Sequence, residues 1–183
     1  MDRIESITAF WGPRLDLDGS GFEITARALL LARAVLSCRA EVLEEVGLSP
    51  GEFDVLAATE HMSRTTQRGA GINLVILTQA ALVTSGAITK RIDRLESAGL
   101  VSRSPDPADR RGTLVSLTPE GRRVIDKAVR LVVEAEHDLI HAHLTRQERE
   151  KVVGPLTKLV AALDEGGRLE QAHTSRPSKK SGR

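Results

Sequence analysis

The sequence predicts a mainly α-helical fold that carries one small β-hairpin, and three observations predict it. Apolar residues recur at steps of three and four along most of the chain, the spacing that places them on one side of a helix. Alternation of apolar and polar residues is confined to two short runs, Leu100 to Ser104 and Thr113 to Leu117, around the tip PDPADRRG. The composition suits helices: 2% aromatic, no Tyr, a single Trp, and an abundance of Ala, Leu, Val, Arg and Glu.

Taken in order, Met1 to Trp11 reads as a short helix with Ile4, Ile7, Phe10 and Trp11 on one side, broken by Pro13 and the run RLDLDGSG. Residues 1–21 therefore form an N-terminal extension. A long amphipathic helix follows from Phe22 to Val46, with Ile24, Ala28, Leu31, Val35, Cys38 and Val42 as its stripe and Gly47 as its stop. Ser49, with Glu52 three residues on, is a capping box that starts another helix at Pro50. Its inner face is Phe53, Leu56 and Ala57, and SRTTQRGAG (63–71) is loop by composition.

The stretch from Asn73 to Pro119 organises the chain. Asn73 caps a short apolar helix through Leu82; Thr84 or Ser85 caps the next, which Gly99 ends. Ile88, Ile92 and Leu95 form the inner face of that second helix, leaving Lys90, Arg91, Asp93, Arg94 and Ser97 outward. The hairpin comes next. Thr118 and Pro119 then begin a long helix to about Leu144, with Val124, Ala128, Leu131, Ala135, Leu139 and Ala142 as its stripe. A second capping box, Thr145 and Glu148, opens a last helix to about Leu163, with Val152, Leu156, Leu159, Val160 and Leu163 inside.

At 183 residues the chain suits one domain with tails. No run of about 18 apolar residues exists and the N-terminus lacks a signal pattern, so a cytoplasmic, membrane-free protein is expected. The single cysteine, Cys38, excludes an internal disulfide and a multi-thiolate metal cage. The net charge of +1 conceals an asymmetry. Arg168, Arg176, Lys179, Lys180 and Arg183 against Glu170 give the last segment +4, which leaves −3 for the rest. Residues 167–183 lack apolar periodicity and are expected to be a disordered basic tail.

The run TSGAITKRIDRLESAGLVSRSPDPADRRGTLVSLTPEG, Thr84 to Gly121, resembles the MarR family of bacterial transcription regulators, as does GLSPGEFDVLA, Gly47 to Ala57. The resemblance covers roughly Phe22 to Leu163. It implies a winged helix-turn-helix over about 49–118 within a 22–166 domain. The helices 22–46, 119–144 and 145–163 would build a homodimer that binds a palindromic operator on double-stranded DNA, as a repressor. Thr84, Ser85 and Gly86 would offer small polar groups and backbone N–H donors to the DNA. Thr89, Lys90 and Arg94 would face it from the recognition helix. At the wing tip Arg110 would enter a minor groove, with Asp109 and Arg111 bracing it. The sequence departs from the family pattern in its first helix-turn-helix helix, where Leu74, Val75 and Ile76 are unusually apolar, and in a longer loop before it.

GEFDVLA, the SGAITKR run and the N-terminal Trp before LDLD also resemble the urate-responsive branch of that family. The matching ligand positions are Trp11, Asp54, Arg91 and Arg103, which implies urate, xanthine or another anionic aromatic effector: two arginines for the anion, Trp for stacking and Asp for a ring N–H. Trp11 lies one residue closer to LDLD than in that branch. Other readings are a winged-helix interaction module without specific DNA binding, and a regulator sensing oxidants or phenolic compounds. Cys38 lacks the Tyr neighbours of a peroxide sensor and reads as a buried helix thiol. His137 and His141, one turn apart, have no obvious further ligands, so no metal or cofactor is expected. No phosphate-binding glycine loop or Ser/His/Asp spacing supports an enzyme.

Overall fold

A computed structural model describes residues 3–15, 18–65, 71–80, 85–107, 109 and 112–165. Among these residues seven α-helices and three short strands follow in the order α1 (Arg3–Leu15), α2 (Ser20–Leu43), α3 (Pro50–Thr65), β1 (Ile72–Asn73), α4 (Leu74–Ala80), α5 (Ser85–Ser97), β2 (Val101–Pro105), β3 (Thr113–Leu117), α6 (Pro119–His141) and α7 (Arg146–Glu165). A 3-10 turn, Glu44–Val46, extends α2, and Gly47 stops it at φ 69°, a conformation that favours glycine. Gly99 ends α5 in the same way at φ 72°.

Both capping boxes form. The Ser49 and Thr145 backbone N–H groups each donate to the Glu three residues on, at 2.8 Å. Thr118 caps α6: its hydroxyl accepts from the Gly121 N–H at 3.0 Å and donates to the Gly99 carbonyl at 2.7 Å. A Cβ on Gly121 would run into the Leu100 carbonyl, so glycine there lets α6 start hard against the turn that leaves α5.

The hairpin pairs Val101 with Leu117 and Pro105 with Thr113. It also has a third strand that periodicity does not reveal, because β1 is two residues long: Ile72 pairs with Val115 and Asn73 with Leu114, giving the order β1-β3-β2. Asn73 thus ends a strand as well as preceding α4, and its Nδ2 donates to Asp106 at the base of the wing tip at 3.2 Å.

One core joins these elements. Phe53, Val55 and Leu56 of α3, Leu77 of α4, Ile88, Ile92 and Leu95 of α5, Val101 and Val115 of the sheet, and Ile125, Ala128 and Val132 of α6 are all buried in it. Full burial of each large aliphatic side chain stabilises by about 1.5–3 kcal/mol.

Four expectations need correction. The α1 helix runs on past Pro13 to Leu15 instead of ending at Trp11. The SRTTQRGAG loop starts later than composition suggests, since α3 continues to Thr65. Of the expected α6 stripe Ala128 is fully buried and Val124 packs against the core, but the other buried residues of this face are Ile125 and Val132, while Leu131, Ala135 and Leu139 are only half-buried. This helix is apolar on more than one side, and periodicity alone does not choose between them. Finally, the α7 stripe is not internal to the chain: Leu156 and Leu159 are each more than 40% exposed, as are Ile24 and Leu31 of the α2 stripe, although Val42 at the far end of that stripe packs against the core. Among the described residues α7 makes no extensive contact with any other element. None of the described helices is long and apolar enough to cross a membrane. The 167–183 tail and the end of the expected α4 helix at Leu82 lie outside the described residues.

Candidate nucleic-acid interface and charged cluster

Burial of Ile88, Ile92 and Leu95 orients α5, and the same rotation leaves Thr89, Lys90 and Arg94 exposed on its outer side. Ser85 and Gly86 form its first turn, where backbone N–H groups have no partner within the helix. The wing stands beside it. At its tip the Gly112 N–H donates to the Asp109 carbonyl at 2.8 Å and the Asp106 N–H to the Gly112 carbonyl at 3.0 Å, which closes the turn with Asp109 exposed. Thr84, Arg110, Arg111 and the expected Asp109–Arg111 brace lie outside the described residues.

Arg91 does not share the outward face expected for it. Its guanidinium lies over Gly51 on α3, where a Cβ would collide with it. One of its nitrogens, Nη1, is buried with no hydrogen-bond partner among the described residues. A buried guanidinium nitrogen without an acceptor is an uncommon arrangement, since such donors are almost always satisfied. Asp54, one turn along α3 from Gly51, is half-buried. Burial pushes its carboxyl above the usual range, opposed by the positive charges of Arg39 and Arg91.

Arg103 on β2 reaches back to α5 and holds two carboxylates at once: Nη2 lies 2.6 Å from Asp93 and Nη1 2.5 Å from Glu96. This clamp fixes β2 of the wing to α5. Trp11 is elsewhere. It lines a cavity of about 390 Å³ between α1 and the start of α2, with Ile7, Thr8, Gly12, Asp18, Gly19 and Phe22. The four expected ligand residues therefore do not form one cluster within a single chain. Asp54 and Arg91 come together, Arg103 is engaged by α5, and Trp11 belongs to a different cavity.

Several residues of this region carry no sequence pattern. Arg39 on α2 binds Glu136 on α6, Nε to Oε1 at 2.5 Å, across 97 positions of sequence. It also faces Asp54 at 3.9 Å. Asp93 and Glu96 were more findable, since an i, i+3 pair shares a helix face. Cys38 is half-buried on α2. The His137 and His141 rings stack with centroids 3.6 Å apart. No group of three or more His, Cys, Asp or Glu residues that could hold a metal occurs among the described residues.

The sequence model of the MarR family matches residues 48–113, the span of α3 through the wing tip. The HTH-type transcriptional regulator PecS of Dickeya dadantii is 35% identical over 115 residues, 62% of this chain and 63% of that protein. The multiple antibiotic resistance protein MarR of Escherichia coli is 36% identical over 101 residues, 55% of this chain and 69% of that protein. The alignment with PecS thus spans under two thirds of that relative's length. Among solved structures, a mutant Escherichia coli MarR complexed with operator DNA superposes with a TM-score of 0.65 at 27% identity, over 77% of this chain and 96% of that one. CouR of Rhodococcus jostii bound to p-coumaroyl-CoA superposes with a TM-score of 0.59 at 26% identity, over 78% and 92%. With this agreement of sequence, element order and wing, the chain belongs to the MarR family.

Proposed function

We propose that the chain is a homodimeric transcriptional repressor that binds a palindromic operator in the cytoplasm and is released by a small anionic aromatic ligand such as urate or xanthine. The observation that carries the DNA-binding part is α5, with its apolar side locked into the core and Thr89, Lys90 and Arg94 turned outward beside the wing. A helix so anchored presents its polar face to a major groove while cations meet phosphate. The likeness to a MarR–operator complex supports the same reading. Exposed apolar rows on α2 and α7 support the homodimer, because contiguous exposed apolar surface is a mark of interfaces.

Support for an anionic ligand comes from the buried Arg91 Nη1, a donor awaiting an acceptor, next to the half-buried Asp54. CouR, a structural neighbour, binds an aromatic acyl-CoA, which supports ligand response as a property to test. The deciding experiment is a gel shift on the intergenic DNA beside the gene, across a salt series, with and without urate or xanthine. A palindrome-specific, salt-dependent shift that either purine reverses is the expected result. Absence of any specific shift would favour a protein-interaction module. A shift that purines leave intact, and phenolic acids or oxidants reverse, would reassign the effector while keeping the repressor.

A further inference from the structure

The wing is tied to the rest of its lobe along both edges. On the β2 edge, Arg103 grips Asp93 and Glu96 of α5. On the other edge, the backbone ladder of β1 on β3 ends at Asn73, opposite Leu114. The Asn73 side chain carries the tie further. Its Nδ2 donates to Asp106 Oδ2 at 3.2 Å, one residue past the last strand pair, Pro105 with Thr113. Asp106 belongs to the tip turn, because its N–H donates to the Gly112 carbonyl at 3.0 Å. Gly112 keeps that turn tight, since a Cβ there would stand 2.9 Å from the Asp106 Cβ. The anchor under Asn73 is firm. Gly71, at φ 95°, brings the chain in against β3, where a Cβ would meet the Ser116 hydroxyl. Ile72 is buried, and Leu74, next to Asn73, begins α4, which sends Leu77 into the same core as Ile88 and Ile92 of α5.

We propose that Asn73 is a positioning residue for DNA binding: its amide, bonded to Asp106, sets the angle at which the wing tip stands to α5. This rests on the proposed operator-binding role of α5 and the wing. A ribbon of two strands is a weak support by itself, so a tip held only by β2 and β3 has freedom to swing about its base. One tie, at Arg103, leaves a hinge; a second on the opposite edge fixes the angle. DNA that met a swinging tip would have to order it at the moment of binding, at a cost to affinity, whereas the Asn73 bond orders it during folding. An amide suits the task. The Asp106 carboxylate only accepts, so the amide turns its NH2 toward it, and a charged acceptor makes the bond stronger than one between neutral groups. Because Asn73 leads straight into α4, and α4 packs on α3 and α5, the tip is referenced to the lobe that carries α5 rather than to the hairpin alone.

The test uses the full chain on the intergenic DNA beside the gene, read by two footprints. Dimethyl sulfate reports guanine N7 in the major groove, where α5 is proposed to lie, and hydroxyl radicals report the flanking minor grooves, where the wing is. At saturating protein, Asn73→Ala is expected to lose the flanking protection and keep the guanine protection, with operator affinity down about five- to tenfold. Asp106→Ala, from the other side of the bond, is expected to give the same pattern. Asn73→Asp sets two carboxylates face to face and is expected to lose the flanks too; adding Asp106→Asn lets amide and carboxylate trade places and is expected to restore them. Flanking protection unchanged in Asn73→Ala overturns the positioning role. So does a joint loss of both footprints, the mark of a merely destabilised fold, and so does a paired exchange that restores nothing. A wild-type protein that protects neither region takes down the operator reading and this inference with it, whereas a wild-type footprint that Asn73→Ala leaves intact takes down this inference alone.

Discussion

Gly51 on α3 leaves the gap that the Arg91 guanidinium of α5 fills. Arg91 ends in a flexible group, so Gly51→Ala is expected to evict the guanidinium without disturbing the fold. Alanine also favours the helix by up to about 1 kcal/mol. Stability should hold or rise in a denaturant melt, while the urate response falls; a variant that keeps the full response would remove Arg91 from the ligand site.

Arg103→Ala breaks the double clamp on Asp93 and Glu96. The carboxylates are partly exposed, so the loss of stability is expected to be modest, about 1 kcal/mol for the two pairs together. Operator affinity is expected to fall by more than that implies, because the wing and α5 no longer move as one piece, and urate should cease to matter. Chemical denaturation and gel shift on the same preparation measure both.

Lys90→Ala is expected to weaken operator binding and lower the slope of log affinity against log salt by about one, the mark of one lost phosphate contact. Arg94→Ala should behave alike. In the wing, Arg110→Ala is expected to weaken binding with the dimer retained by light scattering. Unchanged affinity there would exclude the wing tip from the DNA interface.

Asp54 makes stability depend on pH in a direction opposite to most carboxylates. Burial raises its folded-state pKa above the unfolded value, so its stabilising contribution is complete below the ordinary carboxylate range and is lost as pH rises through the raised value. The unfolding free energy of wild type relative to Asp54→Asn is therefore expected to decline from about pH 4 upward and to level off once the pH has passed the raised value. Thermal melts of both proteins from pH 4 to 7 give the difference; a flat profile would contradict it.

Thr118→Ala removes a hydroxyl that serves both the first turn of α6 and the Gly99 carbonyl, and is expected to destabilise by about 1–2 kcal/mol. Gly121→Ala, whose Cβ meets the Leu100 carbonyl, is expected to cost about 1–3 kcal/mol. Urea midpoints at constant slope are the measurement.

Helix ends were legible in the sequence because caps are local chemistry. Ser49 with Glu52, Thr145 with Glu148, Thr118, and the glycines after α2 and α5 each act within a few residues. The inner face of α5 was legible because Ile88, Ile92 and Leu95 leave no competing stripe. On α6 and α2 several apolar faces compete, and only packing decides which one turns inward. The strand β1 was missed for want of length, as two residues carry no alternation. At the charged cluster, the sequence points Arg91 outward because a charged residue on an amphipathic helix usually faces water; the absence of a side chain at Gly51 reverses that. Arg39 and Glu136 left no trace at all, since a bond between residues 97 apart has no spacing rule.

The bare flank of α7 has one more implication. Twenty residues of helix with an apolar row and no extensive contact among the described residues gain little from folding alone. Under the proposed dimer, that helix becomes firm only when a second copy arrives, so the stability of each subunit depends on how many others are present. The abundance of the protein would then act as an input in its own right. A falling pool would loosen the terminal helices and thin out the DNA-competent form before any effector is bound.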